Sequence, residues 1–259
     1  LTGSAQNCKG GRLRPMFRYY GSKWRLVPKY PAPEHDRIIE PFAGGAAYSL
    51  MYPHLEVVLY EKNPLVARAW QYIIGASEDE LMGIPDIGID QTVHDLGLCE
   101  GARLLVGAWL NNSEPRFQSL RPCKRMRGHM SGEHEPPHAW PDGCYWGPVV
   151  RSRIASQASK IRHWRVVNDD YRNAENDRAT WFVDPPYNNS AGARYTCGAT
   201  AIDYSHLADW CRSRRGQTIV CENAGADWLP FEPFAETLGF KHGRTKEVVW
   251  VNNSGEPTA

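Results

Sequence analysis

The apolar run Trp181-Phe182-Val183 stops dead at Asp184-Pro185-Pro186-Tyr187, and that stop constrains the fold more than any other feature. Three large apolar residues in a row read as a buried strand. Two successive prolines can neither extend a hydrogen-bonded ladder nor enter a helix smoothly. The expected result is a rigid turn at the carboxyl end of a strand, the edge where open α/β sheets take their ligands. Such a turn presents a carboxylate, a proline carbonyl with no N–H beside it, and an aromatic ring. Acceptors beside a flat surface suit an exocyclic amino group on a planar base.

Strand and helix patterns alternate along most of the chain. Residues 36–42 and 56–60 read as strands, and so do 164–167, 180–183 and 217–222. Residues 46–52 are expected to be helical until Pro53, 64–74 form a helix with proline in its first turn, and 205–214 form another. Residues 247–251 follow a glycine-rich stretch and predict a closing antiparallel hairpin. The pattern predicts an α/β fold, a doubly wound, mainly parallel sheet with a terminal antiparallel hairpin. The alternation breaks once, at 76–163, a tract rich in Gly, Pro, His and Arg. An insert of that length is seldom a plain loop. Its helical stretches at 102–111 and 150–162 predict a mostly helical lobe carrying specificity, set between the two halves of the main unit at 16–75 and 164–259.

Bulk properties exclude little. The 259 residues carry a net charge of +1, so any basic surface is local. Seven cysteines form no CxxC pair, which favours a reducing, cytoplasmic compartment with most thiols packed as small apolar groups. No stretch is long and apolar enough to span a bilayer. Met16, followed by Phe17-Arg18-Tyr19-Tyr20, reads as a natural start, and residues 1–15 as a disordered extension.

A second motif, Glu40-Pro41-Phe42-Ala43-Gly44-Gly45-Ala46, lies where the first strand turns toward a helix. Paired glycines let a backbone approach a ligand closely. The loop is not GxGxxG and lacks the Lys-Ser/Thr of a P-loop, which disfavours a pyrophosphate cradle. Glu61 ends the second strand, where an acid can accept the two hydroxyls of a ribose. Together they suggest an adenosine-containing ligand without phosphates, a description that S-adenosylmethionine fits. Taken alone, the same residues read equally well as a tight turn and an exposed acid. Upstream, Tyr19-Tyr20-Gly21-Ser22-Lys23 precedes a short helix expected to begin around Ser22. Its aromatic and its cation could reach the carboxylate end of that ligand.

The order aromatic-x-Gly-x-Lys, Glu-Pro-Phe-x-Gly, long insert, Asp-Pro-Pro-Tyr resembles the Dam-like, α-group DNA adenine-N6 methyltransferases. The likeness runs from about residue 17 to 251, the insert excepted. It implies a Rossmann-like methyltransferase fold and S-adenosylmethionine as cofactor. It places Tyr19, Lys23, Phe42, Gly44 and Glu61 in the methyl-donor site, with Asp169 or Asp170 near the cofactor adenine. Asp184, Pro185, Pro186 and Tyr187 would form the catalytic turn, with Asp184 also close to the donor. Tyr stands at 19 where the best-known members have Trp, and Glu at 61 where they often have Asp. Both substitutions keep the chemistry. The resemblance further implies double-stranded DNA as partner and the cytoplasm of a bacterial or phage-infected cell; it is compatible with a cognate restriction endonuclease, whose presence the sequence leaves open.

DNA contacts are expected from the insert. Residues 116–127 hold five cations and no acid, at Arg116, Arg121, Lys124, Arg125 and Arg127, with Asn111 and Asn112 just before them. Arginine suits guanine and phosphate, asparagine the adenine edge. Cys123, His129, His134, His138 and Cys144 share this tract, but their spacing matches no zinc pattern, so a polar loop and no metal is expected. Similar proline turns serve enzymes acting on cytosine N4, RNA bases or glutamine. A DNA-binding protein that keeps the fold without turnover is a further alternative.

Overall fold

The computed structural model describes residues 11–111, 115–131, 143–190, 192–238 and 244–252, with the main chain only at 125, 129, 237, 238, 244 and 245. Five strands run parallel: β1 (Arg37–Glu40), β2 (Glu56–Tyr60), β3 (Arg165–Val167), β4 (Ala179–Val183) and β5 (Gly216–Asn223). The last two, β6 (Glu232–Leu238) and β7 (Arg244–Asn252), form an antiparallel hairpin. β7 also pairs antiparallel with β5, so the sheet order is β3-β2-β1-β4-β5-β7-β6. The mixed, mostly parallel sheet is compatible with a Rossmann-like fold. Its order reverses between β1 and β4, which opens a crevice beyond their carboxyl ends.

Alternation along the strands sorts the core into two layers. Ile38, Val57, Leu59, Phe182, Ile219 and Cys221 face one layer. Ile39, Val58, Tyr60, Trp181, Val183 and Val220 face the other. The period of two in strand side chains accounts for this division. Helix α1 (Pro64–Gly75) covers the first layer with Val66, Ala69, Trp70 and Ile73, one stripe at helical spacing. Asn63 caps it by accepting from Leu65 N at 3.1 Å, and Pro64 supplies a first-turn residue that needs no N–H partner. Between β2 and β3 come α2 (Glu78–Met82), α3 (Glu100–Leu110), α4 (Lys124–Met130) and α5 (Pro148–Ala158). α3 packs on α1 and α5 on α2, and Leu104, Trp109, Val150 and Ile154 join the same core as Ile38 and Phe182. Helix α6 (Tyr204–Arg212), capped by Asp203, covers the second layer with Leu207, Ala208, Trp210 and Cys211. No helix among the described residues is long and apolar enough to cross a membrane.

Three local expectations fail. Residues 46–52 make only the 3₁₀ turn Ser49–Met51, because Ala46 takes φ +46°, outside the helical region. No helix begins at Ser22: its N–H bonds back to Tyr19 O at 3.3 Å, and the chain passes through turns to the 3₁₀ turn Val27–Lys29. The expected extension 1–15 is packed against the core over 11–15, and 1–10 lie outside the described residues. Leu13 is buried, with its N–H on Leu50 O at 2.9 Å, and Arg14 N bonds to Gln157 Oε1 at 2.7 Å. An apolar residue with a core to enter overcame the polarity of its neighbours.

Phe182 stacks on Tyr48 with ring centroids 4.3 Å apart and meets Tyr30 edge-on at 5.2 Å. Phe182→Ala is expected to cost about 3–5 kcal/mol through lost burial and a residual cavity, measured by urea unfolding.

Candidate active site

The loop after β1 is shaped by three anchors. Glu40, buried at the end of the strand, accepts Ser49 N at 2.8 Å, and burial pushes its carboxyl up to about 8. Ala43 N bonds to Tyr60 O at 3.0 Å, tying the loop to β2. Gly44 then turns at φ +46°, where a side chain is strained. A Cβ at 44 would also lie only 2.6 Å from Tyr19 Cε1, so the Tyr19 ring can close over the loop only if glycine is there.

Glu61 follows β2 and fixes the same loop. Its Oε2 accepts Gly44 N at 2.9 Å and its Oε1 accepts Asn63 N at 2.8 Å. Each oxygen keeps a lone pair for a further donor. Burial raises the Glu61 carboxyl above its usual range, although these two backbone bonds pull it back. Trp70 Nε1 bonds to Gly44 O at 2.8 Å, so both polar groups of the Gly44 backbone are held. Phe42 lies near Tyr171, ring centroids 5.1 Å apart.

The turn after β4 leaves a specific pattern of open acceptors. Tyr204 Oη donates to Pro186 O at 2.5 Å, and Asn189 N to Tyr187 O at 2.7 Å. Among the described residues no hydrogen bond ends on Pro185 O or Asp184 Oδ2. Gly192 crosses the turn so closely that a Cβ there would lie 1.9 Å from Tyr187 O.

Lys23 sits at this turn. Its Nζ is 3.2 Å from Asp184 Oδ1 and 3.7 Å from Glu247 Oε2, and it lies over the Tyr187 ring at 4.2 Å. The side chain is 8% exposed, yet although burial works against its charge, Asp184 and Glu247 raise its pKa. Asp184 is raised to about 6, by burial first and by Glu247, with Lys23 opposing both. Lys23 thus stands beside the turn.

One cavity of about 740 Å³ joins these parts. Tyr19, Phe42, Gly44 and Glu61 line it, as do Lys23 and all of Asp184, Pro185, Pro186 and Tyr187. Asp170 lines it too, where Lys62 and Arg172 at 2.8 Å outweigh burial and hold its carboxyl at about 2. Asp169 does not border the cavity; its Oδ1 accepts Asp170 N at 2.7 Å and Asn173 Nδ2 at 2.8 Å. Glu40, Tyr195 and Glu247 also border it, and the sequence reading missed all three. Glu40 stands inside a quoted motif and could have been found. Glu247 lies in an ordinary strand pattern and could not.

No protein-family model matches this chain, and no curated protein matches it.

The basic tract is only partly as expected. Arg116, Arg121, Lys124 and Arg127 are exposed, and Arg116 sits between Pro115 and Phe117, which both line the cavity. Asn111 is buried at the end of α3, and its amide donates to Arg116 O. Asn112 and the Arg125 side chain lie outside the described residues, as do His134, His138 and the His129 side chain. Cys123 and Cys144 are free thiols, and no metal-binding group occurs among the described residues.

Gly44→Ala is expected to destabilise the fold by about 1–2 kcal/mol from the left-handed backbone alone, read by thermal unfolding. The displaced Tyr19 ring should show as increased quenching of its fluorescence environment or altered near-UV dichroism.

Proposed function

We propose that the chain is a site-specific DNA methyltransferase that modifies adenine N6 with S-adenosylmethionine as donor. The observation that carries this is a single cavity at the switch point, bordered both by the Gly44–Glu61 pair and by the open acceptors after β4. The donor set fits. Glu61, anchored at two points, has lone pairs for a ribose diol, and Tyr19, packed on Gly44, brings an aromatic ring to the same cavity. Phe42 and Asp170 border the same space for an adenine ring. The volume suits a cofactor-sized ligand. Bound there, S-adenosylmethionine would supply an electrophilic methyl group.

The protein's part is to make a poor nucleophile competent. The lone pair of an adenine amine is delocalised into its ring. Asp184 Oδ2 and Pro185 O can each accept one of its N–H groups, which favours a tetrahedral nitrogen with its lone pair freed. Positioning and aimed acceptors do this without reorganisation at the moment of reaction. Asp184, raised to about 6, is also basic enough to take the surplus proton at Oδ2. Lys23 lies over one face of Tyr187, so a stacked base would have to use the other. Because N6 is paired inside a duplex, the base has to be flipped out, at a few kcal/mol that stacking and hydrogen bonds offset.

Duplex binding would draw on Arg116, Arg121, Lys124 and Arg127 through phosphate contacts, with Arg125 and Asn112 as further candidates from sequence. The Rossmann-like methyltransferase fold, a cytoplasmic location and a partner endonuclease belong to the same proposal.

Asp184→Ala is expected to lower methyl transfer to duplex DNA at least about a hundredfold while leaving duplex affinity unchanged, by filter binding beside a labelled-donor assay. Near wild-type turnover would contradict the assignment.

A further inference from the structure

We propose that Glu247 is a positioning residue for Asp184: it takes part of the Lys23 ammonium and fixes Tyr187, and so keeps Asp184 a stronger acceptor and base than a simple lysine-paired carboxylate. This rests on the reading that Asp184 acts on an amino group.

Register brings Glu247 to the site. β7 runs antiparallel to β5 with Glu247 opposite Asn223, the last residue of β5. That end of β7 therefore lies beside the carboxyl ends of the parallel strands, where the Asp184 turn begins. Glu247 is 6% exposed, and its Oε2 accepts the Tyr187 hydroxyl while standing 3.7 Å from Lys23 Nζ. Lys23 Nζ is 3.2 Å from Asp184 Oδ1 and 4.2 Å from the Tyr187 ring centroid. Four side chains thus interlock, with two carboxylates sharing one ammonium.

Such sharing has a definite sign. A carboxylate paired alone with a lysine is held low and accepts weakly. A second carboxylate draws the ammonium toward itself and adds repulsion to the first. Both effects raise the affinity of Asp184 for a proton.

Among the described residues no other group facing Asp184 is placed to do this near pH 6. Glu40, from β1, is held at about 8 by burial and is neutral there. Glu222, from β5, is raised by burial and engaged by Asn188 N at 3.2 Å and Trp228 Nε1 at 3.1 Å. Burial holds the hydroxyls of Tyr19, Tyr30, Tyr187 and Tyr195 above their ordinary range. It does the same to the Cys221 thiol, so all five stay neutral.

The test is a carbon NMR titration of the DNA-free protein with labelled aspartate, the Asp184 signal assigned by its loss in Asp184→Asn. Glu247→Gln is expected to move the Asp184 midpoint down, and Lys23→Met to move it up, each by on the order of one pH unit. The acid limb of methyl transfer should move with it, down in Glu247→Gln. Opposite displacements separate an electrostatic role from loosened packing, which would move both variants the same way or neither. An unmoved midpoint in Glu247→Gln, or movement of both variants in one direction, overturns the proposal even if DNA is methylated. Opposite shifts in a protein that methylates no duplex support the network and contradict the proposed function instead.

Discussion

A buried ammonium needs a carboxylate, and in this protein that requirement joins the segment before β1 to the end of β4. Lys23 lies 3.2 Å from Asp184 with its side chain almost wholly out of water. Removing Lys23 would leave Asp184 and Glu247 facing each other without a counter-charge, which costs far more than the pair itself contributes. Among the described residues the segment before β1 adds no strand to the sheet, yet the ion pair makes it part of the site. It sets Tyr19 against Gly44 and leaves Tyr20 O to receive the Tyr195 hydroxyl at 3.1 Å. The loop after β1, the acid after β2 and the turn after β4 are thereby closed around one space.

Most of that site was legible because its constraints are local. Proline lacks an N–H and fixes its own φ, so the end of β4 at Asp184 follows from two adjacent letters. Gly44 reads as a close approach because only glycine tolerates its backbone. The strands were legible from apolar runs, and β2 fell where expected, at Glu56–Tyr60. Glu247 was invisible for the opposite reason. Its place depends on a pairing between β5 and β7, and nothing near residue 247 announces which strand it will meet.

Tertiary packing supplied what side-chain type alone does not show. Asn111 has the chemistry to read a base, but the end of α3 turns it inward to hold the chain at Arg116. Leu13 belongs to a stretch that reads as an extension, and a site beside Leu50 gives it a core to enter. Lys23 has the charge to meet a ligand carboxylate, and two acidic side chains, one in the turn after β4 and one on β7, already share it. In each case a partner remote in sequence decided the outcome.

The central claim is that the open acceptors at Asp184 and Pro185 serve the amino group of adenine in duplex DNA. Incubation with methyl-labelled S-adenosylmethionine and adenine-containing duplex, followed by digestion to nucleosides, tests it most directly. Label confined to N6-methyldeoxyadenosine is the expected result. Label in a cytosine derivative, or none in DNA across duplexes of varied sequence, would contradict it.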